Sequence, residues 1–159
     1  MNQQSEAIEI VEAGLADLDA LVPLFVGYRE FYRNPPEAER SRAFLLERLT
    51  QQDSVIFLAW LKDRENRMAA GFVQLFPSFS TGALKRIWIL NDLFVDPAAR
   101  LKGVGQVLME HARRYAVETQ ASRLTLKTEV TNHPAQALYE SMGWKRDERF
   151  FSYDLMTLS

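Results

Sequence analysis

The 159-residue chain contains no cysteine. It therefore has no disulfide framework, thiolate metal site or thiol nucleophile of its own, and a reducing, cytoplasmic setting fits. An excess of one charge is also missing. The 21 acidic and 19 basic residues give a formal net charge of -2, so no global positive field exists to hold a nucleic-acid backbone, and no nucleic-acid partner is expected. Long apolar runs are absent: a charge, proline or glycine breaks each one well short of the roughly 20 residues of a membrane span. The first twelve residues lack the basic start and apolar run of a secretory signal, so neither a membrane nor export is expected. The two histidines, His111 and His133, are far apart with no third ligand in view, and no metal is expected. What is present, 47% hydrophobic and 25% charged residues, is the balance of a globular protein and predicts a single domain over residues 1–159.

Ile8 and Ile10 alternate with Glu9 as a short strand, and Gly14 and Asp17 mark a turn and helix cap. Leu18, Leu21, Val22, Phe25 and Tyr28 form one apolar stripe on a helix that Phe31 and Tyr32 continue, with Pro23 displacing its start. Asn34, Pro35 and Pro36 break the chain before a second amphipathic helix that carries Phe44, Leu45, Arg48 and Leu49. Residues 55–61 and 70–76 read as a hairpin around Arg64, Glu65 and Asn66, ended by Pro77 and Ser78. Residues 87–95 are nearly continuous apolar sequence, which suits a central strand covered on both faces. Val104, Val107, Leu108, His111, Ala112 and Tyr115 have helical spacing. A strand at Leu124 and Leu126, a short helix over 134–142 stopped by Gly143, and a final strand over 150–155 complete the chain. The order β-α-α-β-β-β-α-β-α-β predicts an α+β domain around a mixed, mostly antiparallel sheet flanked by helices.

The most informative segment is 91–110, a buried strand, a proline-containing turn, and then Arg100, Leu101, Lys102, Gly103, Val104 and Gly105 opening a helix. Glycines let a backbone approach a ligand closely, and free N–H groups at the positive end of a helix dipole attract an anion. The dinucleotide fingerprint fails because its third glycine would fall at Leu108, and a P-loop fails because Gln106 and Val107 follow Gly105. A phosphate cradle and a plain helix start with tight strand-to-helix packing both remain open. No Gly-x-Ser-x-Gly elbow occurs.

With Arg100, Gly103 and Gly105, the turn resembles the Arg/Gln-x-x-Gly-x-Gly/Ala signature of the GNAT family of N-acetyltransferases. The run from Asn132 through Tyr139 to Gly143 and Trp144 is similar to that family's second motif, in the expected order. Within the family, residues 72–79, 90–95 and 132–134 look most like polyamine acetyltransferases and the small yeast-type histone and polyamine acetyltransferases. Leu101 stands where many relatives carry glycine, and Asn91 where the polyamine enzymes carry glutamate.

The resemblance implies a GNAT fold and acetyl-CoA as cosubstrate. The N–H groups of Leu101, Lys102, Gly103, Val104, Gly105 and Gln106, with Arg100, would cradle its pyrophosphate. Leu93, Phe94 and Val95 would pair through their backbone with the pantetheine arm, and an N–H near Phe94 or Val95 would meet the thioester oxygen. Asn132 and Ala135 join the cofactor-binding residues, although an asparagine just before Pro134 is also an ordinary helix cap. Tyr139 is the candidate general acid for the departing thiolate.

Asn91 and Asp92 are the catalytic candidates for removing the amine proton, Asp92 as a carboxylate or Asn91 as holder of a relaying water. Strand alternation may turn Asp92, like Glu129, away from the acceptor. Tyr28, Glu30, Tyr32, Trp88 and Glu129 are candidate acceptor contacts, since aromatics and carboxylates suit a cationic amine. The acceptor is expected to be a small polyamine-like amine, or second a protein lysine or N-terminus, and the assembly a homodimer. A CoA-responsive binding module without catalysis is the alternative.

Overall fold

The computed structural model describes residues 7–158. In chain order the elements are β1 (Ala7–Glu12), α1 (Leu18–Phe31), α2 (Ala38–Gln51), β2 (Val55–Lys62), β3 (Arg67–Ser80), β4 (Lys85–Val95), α3 (Val104–Glu118), β5 (Leu124–Thr125) and α4 (His133–Ser141), with single 3-10 turns at Leu15–Asp17 and Pro97–Ala99. The sheet runs β1-β2-β3-β4-β5; the first four strands are antiparallel neighbours, and β5 lies parallel to β4. This is an α+β fold with a mixed sheet flanked by helices, as expected. The chain forms two compact units, Met1–Leu126, which holds the sheet, and Lys127–Ser159. No helix among the described residues is long and apolar enough to cross a membrane.

The stripe read from the sequence does bury α1. Leu18, Leu21, Leu24 and Phe25 join Leu45 of α2 and Ile56, Leu58, Phe72 and Phe94 of the sheet in one core cluster. Each such side chain contributes about 1.5–3 kcal/mol by leaving water. Pro23 does not displace the helix start. It sits inside α1, which begins at Leu18, and the lost backbone bond is offset by the burial of Leu21, Leu24 and Phe25 around it. The opposite sheet face packs on α3: a side chain on Gly71 would meet Val104 and Leu108, and Phe57 and Trp88 lie against Tyr115.

Two expectations are corrected. Pro77 and Ser78 do not end β3, which runs on to Ser80 paired with β4. The first β2 residue, Val55, lies opposite Leu75, so beyond Leu75 one side of β3 has no strand. Alternation turns the position of the missing Pro77 N–H to that side. The final strand over 150–155 does not form, and residues 144–158 carry neither helix nor strand. Phe150, Phe151, Tyr153 and Leu155 are largely exposed. An apolar alternation becomes a strand only beside a partner, and among the described residues their unit contains no other strand.

Candidate active site

The sheet unit gathers its chemistry at the C-terminal half of β4. Gln74 lies opposite Asp92, but Leu75 lies opposite Leu90, so Asn91 is an extra residue bulged out of the ladder. The bulge reverses the alternation. Trp88 faces α3, where its ring lies 5.2 Å from Tyr115 and its indole N–H donates to the Thr119 hydroxyl at 2.9 Å. Phe94, past the bulge, faces α1 and sits in the core cluster. Asp92 shares the Phe94 face and is buried, with Oδ2 accepting from Gln74 Nε2 at 2.7 Å and Oδ1 from Asn91 Nδ2 at 3.1 Å. Asn91 itself is exposed.

Beyond the bulge, β4 has an open edge. β5 pairs only with Trp88 and Ile89, so among the described residues no strand covers the outer side of 90–95. The Asp96 N–H bonds the Ala70 carbonyl of β3, and alternation back from it turns the backbone groups of Leu93 and Val95 outward and those of Phe94 towards β3. Of the two residues considered for the thioester oxygen, Val95 is the one on the open edge.

The turn that follows leads into an uncapped helix start. The Asp96 side chain accepts from the Ala98 N–H at 2.8 Å, and Arg100 Nε reaches back to the Val95 carbonyl at 3.3 Å. Gly103 has φ +82 at the start of α3, and no side chain caps that helix. The first helical bond is from the Val107 N–H to the Gly103 carbonyl, which leaves the amides before it directed ahead of the helix. Leu101 is left-handed at φ +64 and fully exposed, so the place where relatives carry glycine is a conformation that glycine adopts without strain. Lys102, Val104, Gly105 and Gln106 complete the segment, Val104 anchoring it with its buried side chain. An uncapped helix start beside an open strand edge fits a ligand with a diphosphate and an amide-bearing arm, which is what acetyl-CoA offers.

α1 flanks this edge. The Tyr28 hydroxyl is 3.5 Å from the Asn91 carbonyl oxygen, Tyr28 and Tyr32 rings lie 4.9 Å apart, and the Arg100 guanidinium sits 5.7 Å from the centre of the Phe31 ring. Tyr28, Tyr32, Asn91, Asp92 and the cradle are thus brought together. Glu30 is exposed on α1, and Trp88 is kept from the group by the bulge. Gln74 and Ser54 were missed as site residues. A polar Gln74 inside the apolar run of β3 was the signal for the first.

The second unit carries Glu129, Asn132, Ala135 and Tyr139. Asn132 caps α4, its side-chain oxygen accepting from the Ala135 N–H at 3.3 Å. The Glu129 carbonyl accepts from Gln136 Nε2. Gly143 turns the chain with φ +93, so that the Trp144 N–H bonds the Tyr139 carbonyl and the two rings lie 6.1 Å apart. Tyr139 is half-buried.

Elsewhere, Arg113 and Arg114 pair with Glu110 on the exposed face of α3, and the Arg113 hydrogen bond holds the Glu110 carboxyl below its usual range. Burial, together with the Glu12 charge and against that of Arg86, pushes the Tyr115 phenol up. His111 stacks edge-on to Phe57 at 4.6 Å. Among the described residues, no three histidine, aspartate or glutamate side chains gather as a metal site.

Residues 19–144 match the family described as the Acetyltransferase (GNAT) family. The N-acetyltransferase YhfO of Bacillus subtilis is 45% identical over 148 residues, covering 93% of this chain and 97% of that one. A probable acetyltransferase of Haemophilus influenzae is 33% identical over 150 residues, covering 93% and 99%. A crystal structure described as a probable acetyltransferase superposes with a TM-score of 0.88 at 46% identity, covering 95% of this chain and 99% of that one. The chain belongs to the GNAT family and is an acetyl-CoA-dependent N-acetyltransferase.

Proposed function

We propose that this enzyme acetylates primary amines, with small polyamine-like amines as the first class and protein lysines or N-termini as the second. The observation that carries the reading is the open edge of β4 at Leu93 and Val95, lying between the uncapped start of α3 and the aromatic flank of Tyr28 and Tyr32. A ring face attracts an alkyl ammonium, and Glu30, exposed on α1, adds a carboxylate. The family match over residues 19–144 supports a single N-acetyltransferase domain.

Acetyl-CoA supplies an acetyl group activated as a thioester. The Val95 N–H meets the negative charge that develops on the thioester oxygen as the amine nitrogen bonds to the carbonyl carbon. The carbon–sulfur bond breaks, and the Tyr139 phenol gives its proton to a thiolate whose conjugate acid has a pKa of about 8.5. The amine, with a pKa of about 10.4 as an ammonium, loses its protons through water held at Asn91, which Asp92 positions. Arg100, the amides of residues 101–106, Asn132 and Ala135 hold the cofactor, and much of the acceleration comes from orienting the two substrates side by side.

The enzyme acts in the cytoplasm as a homodimer, which the exposed apolar side chains of residues 150–158 support; a monomer mass by light scattering would remove the dimer. The activity test is thiol release from acetyl-CoA against pools of polyamines, amino acids, aminoglycosides and lysine peptides. Release with the polyamine pool is expected. Release with peptides alone replaces the first acceptor class by the second, and silence with every pool overturns the reading.

A further inference from the structure

A chain of buried polar side chains crosses the sheet just behind the bulge. Gln74 is 1% and Asp92 5% exposed, in a region otherwise filled by leucine, valine and phenylalanine. A carboxylate has no proton to give, so both amides that touch Asp92 must present their nitrogen to it. Gln74 Nε2 does so at 2.7 Å and Asn91 Nδ2 at 3.1 Å. At the far end of Gln74, Oε1 accepts from the Ser54 hydroxyl at 2.9 Å, a partner that rotates to donate to it. Asn91 has no such closure at its far end. Its nitrogen is committed inward, so the oxygen Oδ1 is the end that an exposed side chain turns outward, beside the carbonyl approached by Tyr28.

We propose that Asn91 receives the acceptor amine through Oδ1, directly or by one water, and that Asp92 and Gln74 are positioning residues that fix which end of the Asn91 amide faces it. This rests on reading the β4 edge as the acetyl-transfer site. A neutral oxygen in that place accepts an N–H from an ammonium before proton loss and from the free amine after it. The bulge matters because it lifts Asn91 out of the ladder, exposed, while Asp92 turns into the buried α1 face beside Phe94. Both Asp92 oxygens are engaged, so Asp92 acts through Asn91 rather than on the amine.

The test is an exchange of the two residues. Asp92→Asn puts an amide where only acceptors stood, so the polarity of Asn91 is no longer dictated; kcat/KM for the amine is expected to fall about tenfold, the loss of one well-placed hydrogen bond, with the KM for acetyl-CoA unchanged. The double variant Asn91→Asp, Asp92→Asn restores a fixed order: the amide at 92 accepts from Gln74 and donates to the carboxylate at 91, whose second oxygen faces out. Its kcat/KM is expected to recover to within about threefold of the parent. A double variant that is folded but no better than Asp92→Asn alone overturns the proposal, as does full activity of Asp92→Asn. A second readout needs no acceptor. By NMR, the Asn91 side-chain amide protons of the free parent protein should exchange slowly, and those of Asp92→Asn fast. Fast exchange in the parent overturns the proposal whatever the assays give, whereas slow exchange in a protein with no amine turnover would fault the acetyl-transfer reading instead.

Discussion

Gly71→Ala tests how the sheet sets the cofactor edge. A β-carbon at Gly71 would sit 2.6 Å from the Phe94 carbonyl oxygen and 3.3 Å from both Val104 Cγ1 and Leu108 Cδ1. The first distance is about 0.8 Å inside ordinary contact, and the atom it meets is backbone, which cannot rotate away. Overpacking a close-packed interior costs about 1–3 kcal/mol, and a clash with backbone belongs at the upper end, about 2–3 kcal/mol. For a chain of this size each kcal/mol lowers Tm by about 2–4 °C, so a fall of about 4–12 °C is expected. The groups pushed are the Phe94 backbone in β4 and the first turn of α3, which adjoin the proposed cofactor site. Acetyl-CoA affinity by calorimetry is therefore expected to weaken about tenfold, as misplaced binding groups do. Gly14→Ala is the control, since nothing lies within 4 Å of a β-carbon there; its Tm should stay within about 2 °C. A Gly71→Ala protein that melts within about 1 °C of the parent would refute the steric argument. One that is destabilised but binds acetyl-CoA unchanged would refute the link from β3 to the cradle.

Leu101→Gly removes a left-handed β-carbon at φ +64 from a fully exposed side chain. Relief of about 1–2 kcal/mol against a glycine entropy cost of about 0.5–1 kcal/mol predicts a gain of up to about 1 kcal/mol, read as a higher urea midpoint. Tyr139→Phe should lower kcat about a hundredfold while calorimetry finds acetyl-CoA binding unchanged; an unchanged kcat removes Tyr139 from the proton step. The Tyr115 phenol is pushed up by burial first and by Glu12 second. A raised folded-state pKa means that its contribution to stability is whole below the unfolded value of about 10 and is lost as pH rises beyond it. Urea midpoints should therefore fall more steeply above pH 10 for the parent than for Tyr115→Phe, and parallel curves would refute this.

What was legible in the sequence depended on whether backbone or side-chain direction carried it. The glycine turn was legible because Gly103, at φ +82, reports a backbone need that few other residues meet, and the α1 stripe because Leu18, Leu21 and Phe25 repeat at the helical period. The acceptor side was only half legible. Counting alternation straight through β4 puts residues 88, 90, 92 and 94 on one face. The bulge at Asn91 breaks that count, sending Trp88 to α3 and Phe94 to α1. No residue type announces it, since an asparagine at 91 is as compatible with a regular strand as with a bulge.

The same break explains why Gln74 escaped notice and why it is there. If β4 alternated regularly, Asp92 and Phe94 would share the α3-facing side with Trp88. The bulge turns them into the α1 face instead, where the carboxylate is buried and must be hydrogen-bonded. Gln74 and the Asn91 amide meet the need from either side, and Ser54 closes the remaining end of Gln74. A polar residue in the middle of an apolar strand thus follows from a backbone irregularity one strand away. That irregularity lies where β4 leaves β5 and its outer edge opens. The sequence rule of alternation fails at the point where the sheet ladder itself is broken, beside the edge proposed to hold the two substrates.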